Sequence, residues 1–226
     1  MEPSEFLDIV APAVVSVRVD GGVLFPSVSL AQTILETGWT IPPWNNLVGY
    51  KVGNGRRTEY WDGRSINKAT REFSDETGEV DVRANFRAYD SIEDSLRDQV
   101  LLFTDNRARY EGVIEAATPR EQAEALQRSG YATDPAYAAK LTAIIRTYGL
   151  ERYDREAENL METIEELRRQ IAELQTLVAE TEPPVWAQAT VEKLVERKLL
   201  NDPRGDRSFF RTLVVLDRAG AFDRSE

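Results

Sequence analysis

The sequence predicts an α+β protein that is mostly α: a helical lobe with one inserted β-hairpin wing, then a coiled-coil-like helix, then a small helical C-terminal module. Three observations carry that expectation. Apolar residues recur at helical spacing through most of the first 150 positions and lose it only over 60–89, where alternation takes over. From Ala157 to Val178 they follow a heptad. After Pro183-Pro184 two short amphipathic stretches flank a turn.

Taken in order, Phe6, Ile9 and Val10 define one face of a first helix, with Ser4 as its cap. Pro26-Ser27 opens a second, carrying Leu30, Ala31, Ile34 and Leu35 and stopped by Gly38. Val80, Val82 and Ala84 alternate up to Phe86. The turn-like Ser74-Asp75-Glu76-Thr77-Gly78 separates the two strands of the hairpin. Helical spacing resumes after Ser91 with Ile92, Leu96, Val100 and Phe103, then over Gln122–Leu126 and Ala136–Tyr148. These elements make up a first domain of residues 1–153, followed by a heptad helix or linker, 154–182, and a module, 183–226.

Composition narrows the chemistry. The 226 residues include no Cys and no His, and the net charge is −11. Disulfides, thiolate metal sites, cysteine nucleophiles, Ser-His-Asp triads and imidazole–zinc hydrolysis are all excluded. No metal or cofactor is expected, and acid–base chemistry falls to carboxylates, with Tyr or Lys in support. An acidic chain argues against nucleic acid as a partner. No run of about 18 apolar residues is present, so membrane insertion is not expected. The first 22 residues lack a basic n-region and an unbroken apolar stretch, and no export signal is read in them.

Within the second helix Glu36 stands out. It lies in an apolar stretch, one or two residues before the helix stops, where the partial negative charge of the helix end disfavours a carboxylate. Burial beside Leu35 and Trp39 acts in the same direction, toward a carboxylic acid able to donate a proton near neutral pH. From position alone, a surface glutamate in a last helical turn stands as the alternative.

Five segments in order carry a family resemblance. They are Phe25–Trp39 (FPSVSLAQTILETGW), Asn45–Lys51 (NNLVGYK), Thr70–Phe73 (TREF), Asn85–Ser91 (NFRAYDS, with Ser95 beyond) and Gly130–Leu141 (GYATDPAYAAKL). Together they resemble the peptidoglycan-cleaving N-acetylglucosaminidases of glycoside hydrolase family 73, which include bacterial autolysins, flagellar muramidase-like proteins and phage lysins. The resemblance covers about residues 5–150. It implies a lysozyme-like helical lobe with a hairpin wing, a cleft between them, and cleavage of β-1,4-linked amino-sugar chains in bacterial peptidoglycan.

By the same resemblance Glu36 matches the general acid that protonates the leaving oxygen, and Glu72 the second carboxylate. Glu59, in Thr58-Glu59-Tyr60, also fits the short pattern but ranks below Glu72, which sits at better spacing from the following Gly-containing turn and Phe86-Arg87. An inverting route through Glu72 and a substrate-assisted route through the N-acetyl group both remain open. Tyr131 matches an active-site tyrosine near a sugar subsite. Asn46, Trp39 and Tyr89 are expected sugar contacts, through an amide and two rings, with core packing the alternative for Trp39 and Tyr89. Val48 replaces the usual aromatic of its loop.

In the heptad segment Ala157, Ile164, Ile171 and Val178 fall at a, and Leu160, Leu167 and Leu174 at d, a pattern that favours parallel two-stranded coils. Homo-oligomerisation through 157–178 is therefore an expectation, alongside packing of this helix on its own catalytic domain. Net charge divides as −6 over 1–150, −6 over 151–182 and +1 over the rest. Trp186, Val191, Leu194, Val195 and Leu199 are read as one helix of the module, and Phe209 to Leu216 as another. Wall binding and oligomerisation are its two candidate roles.

A catalytic unit with a tail and no readable export signal suggests a phage or prophage endolysin, held in the host cytoplasm until released to the wall. The alternatives are a secreted bacterial autolysin or flagellar-assembly hydrolase and, from another class, a non-catalytic wall-binding or virion structural protein.

Overall fold

The computed structural model describes residues 1–74, 78–178 and 182–223, with side chains described outside 70–82 and 176–178. In chain order the elements are α1 (Pro3–Val19), α2 (Pro26–Thr37), β1 (Ser65–Ser74), β2 (Gly78–Arg87), α3 (Ile92–Asp105), α4 (Arg107–Ile114), α5 (Pro119–Arg128), α6 (Tyr137–Tyr148), α7 (Glu151–Val178), α8 (Gln188–Glu196) and α9 (Arg207–Arg218). They fall into two compact units, Met1–Met161 and Glu162–Glu226.

In the first unit α2 is the central helix, packed against α1, α5 and α6. Every residue from Pro26 to Ile34 is buried, as expected of a helix with polar groups small enough to bury on all sides. Around it α1 contributes Phe6, Leu7, Val10, Ala11, Val14 and Val17, with Leu96, Phe103, Leu126, Leu141 and Leu150 from later elements. The face expected of α1 is partly corrected: Ile9 is 45% exposed, because the apolar stripe runs through Phe6, Val10, Val14 and Val17. The predicted Ser4 cap is corrected too. Glu2 occupies the N-cap position without a side-chain cap bond, Pro3 takes the first helical position, where its missing N–H is one of the orphan donors anyway, and Ser4 lies inside the first turn.

β1 and β2 form a two-stranded antiparallel ladder from Ser65↔Arg87 to Ser74↔Gly78; the tip of the expected turn, 75–77, lies outside the described residues. Lys51 forms a bridge to Phe86, so the loop after α2 adds a short third edge at the hairpin base. α3 starts at a capping box between Ser91 and Asp94. α4 was not foreseen. It has eight residues, contains Gly112 and is kinked at Tyr110, so no amphipathic period marks it.

The first unit ends later than the predicted 153, because α7 begins inside it. Asp154 and Ala157 are both buried, and Asp154 bonds to α2. In the second unit α8 and α9 enclose a small core of Ala187, Val191, Phe210 and Val214, with Asp206 capping α9. The expected module helix is shorter than its apolar pattern: Trp186 and Leu199 lie outside α8, and both are exposed, as is Val195.

Candidate active site

The site begins with how α2 is held. Its N-cap residue is Phe25, which has no side-chain acceptor of its own, and Pro26 removes one of the orphan N–H groups of the first turn. Two of the remaining donors are taken by side chains distant in sequence. Phe25 N–H donates to Gln122 Oε1 at 2.7 Å and Ser27 N–H to Asp154 Oδ1 at 2.7 Å. Gln122, itself fully buried, donates back to the Val23 and Val113 carbonyls. Burial holds the Asp154 carboxyl above the usual carboxylate range, while the Ser27 contacts oppose that rise.

At the other end α2 stops at Gly38, in the left-handed region at φ 58°. Glu36 therefore sits in the last turn, directed into the space between the lobe and the hairpin. Two depressions share its side chain. One, of about 790 Å³, is lined by Glu36, Tyr50, Lys51, Phe86, Tyr131 and Tyr137 among others. The other, of about 250 Å³, runs between Glu36, Trp44, Lys68 and Ala69. Glu36, Gly49 and Phe86 line both.

Loop 45–51 passes directly over the acid. A Cβ on Gly49 would stand 2.8 Å from Glu36 Oε2, and the residue lies at φ +63°. The left-handed conformation favours glycine here, and a Cβ would displace the Glu36 carboxyl from its place. Glu36 is open to water along the cleft but surrounded by protein walls on its other sides. That desolvation pushes its carboxyl above the usual range, and the Lys51 ammonium partly opposes the rise. The direction matches the sequence expectation. Its main cause is the crowding of the cleft.

Tyr131 lines the larger depression. Its hydroxyl accepts from Gln99 Nε2 at 2.8 Å, Gln99 Nε2 also donates to Gln32 Oε1 at 3.3 Å, and Gln32 Nε2 donates to the Tyr137 hydroxyl at 2.9 Å. Both tyrosine oxygens accept from amides, so each retains its own O–H proton to donate toward the cleft. Burial raises both phenol pKa values, with the nearby Glu36 adding to the rise; the phenols are neutral donors. The Tyr131 loop is clamped by Arg109 of α4, which donates from Nε to the Ser129 carbonyl at 2.8 Å and from Nη2 to the Gly130 carbonyl at 2.7 Å.

The hairpin is anchored at its base by a buried ion pair. Arg87 Nη1 donates to Asp98 Oδ2 at 2.6 Å, with side-chain exposures of 6% and 1%. The guanidinium lies between the Tyr50 and Trp61 rings, 4.0 and 4.2 Å from their centroids. Asp98 also accepts from the Tyr89 hydroxyl at 2.7 Å and the Thr58 hydroxyl at 2.8 Å. One carboxylate on α3 therefore ties the hairpin end and two loops together.

Three of the expected sugar contacts have structural partners of their own, and of these Asn46 also lines the smaller depression. Asn46 is buried. Its amide nitrogen donates to the Tyr50 and Arg87 carbonyls, each at 2.9 Å, and its oxygen accepts from Tyr50 N–H, so it pins the loop that crosses Glu36. Tyr89 is 3% exposed and its hydroxyl is held by Asp98. Trp39, at φ 65°, packs edge-on against Phe6 and Tyr148. Core packing is the structural reading for the two rings.

Glu72 pairs with Val80 in the hairpin register, four residues on from Lys68, and its side chain lies outside those described. Glu59 is exposed in the loop before β1 and not on a strand. Gln32, Gln99, Arg109, Asp98 and Tyr137 escaped the sequence reading. Tyr137 and Gln32 fall within quoted motifs, whereas Arg109 lies in the unforeseen α4. Among the described residues no cluster of acidic side chains could hold a metal ion, and no helix is long and apolar enough to cross a membrane.

A helical lobe, a hairpin wing and a carboxylic acid in the cleft between them define a lysozyme-like glycan-cleaving domain. The family model "Mannosyl-glycoprotein endo-beta-N-acetylglucosaminidase" matches residues 16–150, and the chain belongs to this glucosaminidase family of glycoside hydrolases. It is 38% identical over 139 residues to the exo-glucosaminidase LytG of Bacillus subtilis, covering 58% of this chain and 46% of that protein. It is 44% identical over 121 residues to the peptidoglycan hydrolase FlgJ of Salmonella typhimurium, covering 52% and 37%. The chain thus spans less than half the length of these two relatives. Among solved structures, a peptidoglycan hydrolase mutant from Sphingomonas sp. A1 superposes with a TM-score of 0.56 at 31% identity, covering 66% of this chain and 96% of that one. The catalytic domain of the Listeria monocytogenes autolysin Auto gives 0.54 at 30%, covering 66% and 86%.

Proposed function

We propose that the chain hydrolyses β-1,4 bonds between the amino sugars of bacterial peptidoglycan as an endo-β-N-acetylglucosaminidase, with Glu36 as general acid and Glu72 as second carboxylate. The observation that carries the reading is the position of Glu36 between two adjoining depressions. A glycan laid through both brings a glycosidic oxygen to the carboxyl, which the crowding of the cleft keeps protonated to higher pH than a free glutamate. Glu36 gives its proton to the leaving oxygen as the C–O bond breaks, the sugar carries oxocarbenium character, and a water completes the hydrolysis. Glu72 activates that water, a role supported by the family resemblance and by its place on the hairpin. Tyr131 and Tyr137 offer neutral O–H donors to sugar oxygens or the N-acetyl carbonyl.

The proposed setting is the cell wall. An endolysin released from the host cytoplasm accounts for a catalytic unit with a tail. The likeness to LytG and FlgJ favours, as the second reading, a bacterial wall hydrolase.

On purified peptidoglycan Glu36→Gln should lose about 10²–10⁴-fold in rate and Glu72→Gln less, with unchanged circular dichroism. Mass spectrometry of the released ends should show reducing N-acetylglucosamine. Muramic or anhydro-muramic ends would overturn the bond assignment, and full activity of Glu36→Gln the acid. Because the reaction uses protonated Glu36, its rate falls as pH rises through the raised pKa. Lys51→Met removes the opposing charge and should move that alkaline limb upward. The stability sign follows from the same shift. The folded state holds this proton to higher pH than the unfolded chain, so ionised Glu36 destabilises the fold above the ordinary glutamate range of about 4.3. Glu36→Gln should therefore raise Tm at neutral pH and leave it unchanged well below that range.

A further inference from the structure

We infer that the second part of α7 is the seam of a parallel, in-register dimer of this chain, which presents two catalytic units to one wall. Leu160, Leu167, Ile171 and Leu174 are 43, 51, 54 and 60% exposed. With Ile164 they occupy consecutive a and d positions, and they form a stripe along a helix whose earlier part is buried in the catalytic unit at Asp154 and Ala157.

Three features select a second copy as the occupant. First, the seam has Ile at both of these a positions and Leu at every d, the side-chain shapes that favour two parallel strands. Second, the charge of the segment is sorted away from the seam. Glu158, Glu162, Glu165, Glu166 and Glu173 all fall at b, c or f, on the outer face. Third, in a parallel in-register pair the g and e′ neighbours are Thr163 with Arg168 and Gln170 with Gln175, so identical chains meet without like-charge repulsion. Gln170 and Arg169 are also bonded to Glu166, which draws the g side chain toward the outer face.

The seam is short, and a free helix of that length would be marginal. Here the expensive step, forming the first turns, is already complete because Asp154 holds the start of α7 on α2. A dimer then gives two clefts on one insoluble polymer, where binding through one raises the effective concentration of the other. That consequence rests on the proposed wall hydrolysis; the dimer itself does not.

The test uses the full chain. Light scattering with size exclusion at about 100 μM should give twice the 25.6 kDa chain mass, and Ile171→Glu should return it to the single mass with the Tm of the catalytic unit unchanged. Because the chain has no Cys, single cysteines report orientation. Ile164→Cys should oxidise to a disulfide-linked dimer, since a parallel in-register seam brings the two copies of residue 164 within bonding range, and Glu162→Cys on the outer face should not. Ile171→Glu should lose about tenfold on insoluble walls while matching the parent on short soluble oligosaccharides. A single mass at 100 μM overturns the dimer, and a higher oligomer overturns the two-stranded seam. Equal cross-linking at 162 and 164 overturns the parallel register. A dimer whose Ile171→Glu variant keeps full activity on walls overturns the bivalent role alone.

Discussion

The catalytic unit and the C-terminal module reach their folds in opposite ways. The first encloses one continuous core from Phe6 to Leu150 and binds its loops with buried polar ties: Arg87–Asp98, Gln122–Phe25 and Asp154–Ser27. Among its described residues the second has five buried apolar side chains, Ala187, Val191, Leu194, Phe210 and Val214, and its ion pairs join Lys193 to Asp217 and Asp223 near the surface. The difference reflects what each part must hold still. A general acid needs its cleft fixed to fractions of an ångström, and satisfied buried polar groups specify geometry in a way that apolar packing alone does not.

The largest effect should come from breaking the catalytic unit at its hairpin anchor. Asp98→Asn leaves the Arg87 charge buried against Tyr50 and Trp61 without its counter-ion, a defect of about 3–5 kcal/mol. In calorimetry the transition of the catalytic unit should fall by about 10 °C, while that of the module stays in place. If both transitions moved together, the two units would be one cooperative body and the contrast would fail.

A smaller effect sharpens where the catalytic unit ends. Asp154→Ala removes the acceptor for Ser27 N–H at the start of the helix that carries Glu36, a loss of about 1–2 kcal/mol by analogy with a capping residue, or a few degrees in Tm. Truncation after Met161 keeps that bond and should keep the Tm; truncation after Tyr153 loses it together with buried Ala157. Equal stability of the two truncations would return the boundary to 153.

These ties also explain which parts of the molecule were legible in advance. Local signals carry through to the structure: Pro26 and Gly38 bracket α2, the helical spacing after Ser91 marks α3, and the alternation at Val80, Val82 and Ala84 marks β2. Glu36 was legible because a charged residue in an apolar helix end is a local anomaly. The bonds that give the site its geometry join residues 97 and 127 positions apart in the chain, as in Gln122–Phe25 and Asp154–Ser27, and no local pattern announces them. The same reason hides the structural ties of Asn46 and Tyr89. An amide and a phenol in a cleft motif look like sugar contacts until the carbonyls of Tyr50 and Arg87 and the carboxylate of Asp98 are seen to engage them. Ile9 and Ser4 were misjudged for a different reason. Helical spacing gives a stripe without saying which of two adjacent stripes meets the core, and a proline in the first turn displaces the cap.

The smallest effect concerns the module. Lys193 donates to Asp217 at 2.6 Å and to Asp223 at 2.7 Å, and Thr190 also bonds Asp217, so this cluster joins α8 to α9 and to the segment beyond it. The partners hold Asp217 below the ordinary carboxylate range and Lys193 above the ordinary amine range. The sign for Asp217 is that its contribution is present above the unfolded aspartate pKa of about 3.9 and lost as pH falls through the depressed folded value. Lys193 contributes below its ordinary pKa of about 10.4 and loses that contribution as pH rises through the raised folded value. At neutral pH both are intact, but they lie partly open to water, so salt screens them. Raising NaCl to about 1 M should lower the module's transition slightly and leave that of the catalytic unit, whose ion pair is buried, where it was; Lys193→Ala should abolish the salt sensitivity. A module transition insensitive to both changes would mean that its buried side chains suffice to hold it, and that its ion pairs contribute nothing to setting α8 against α9.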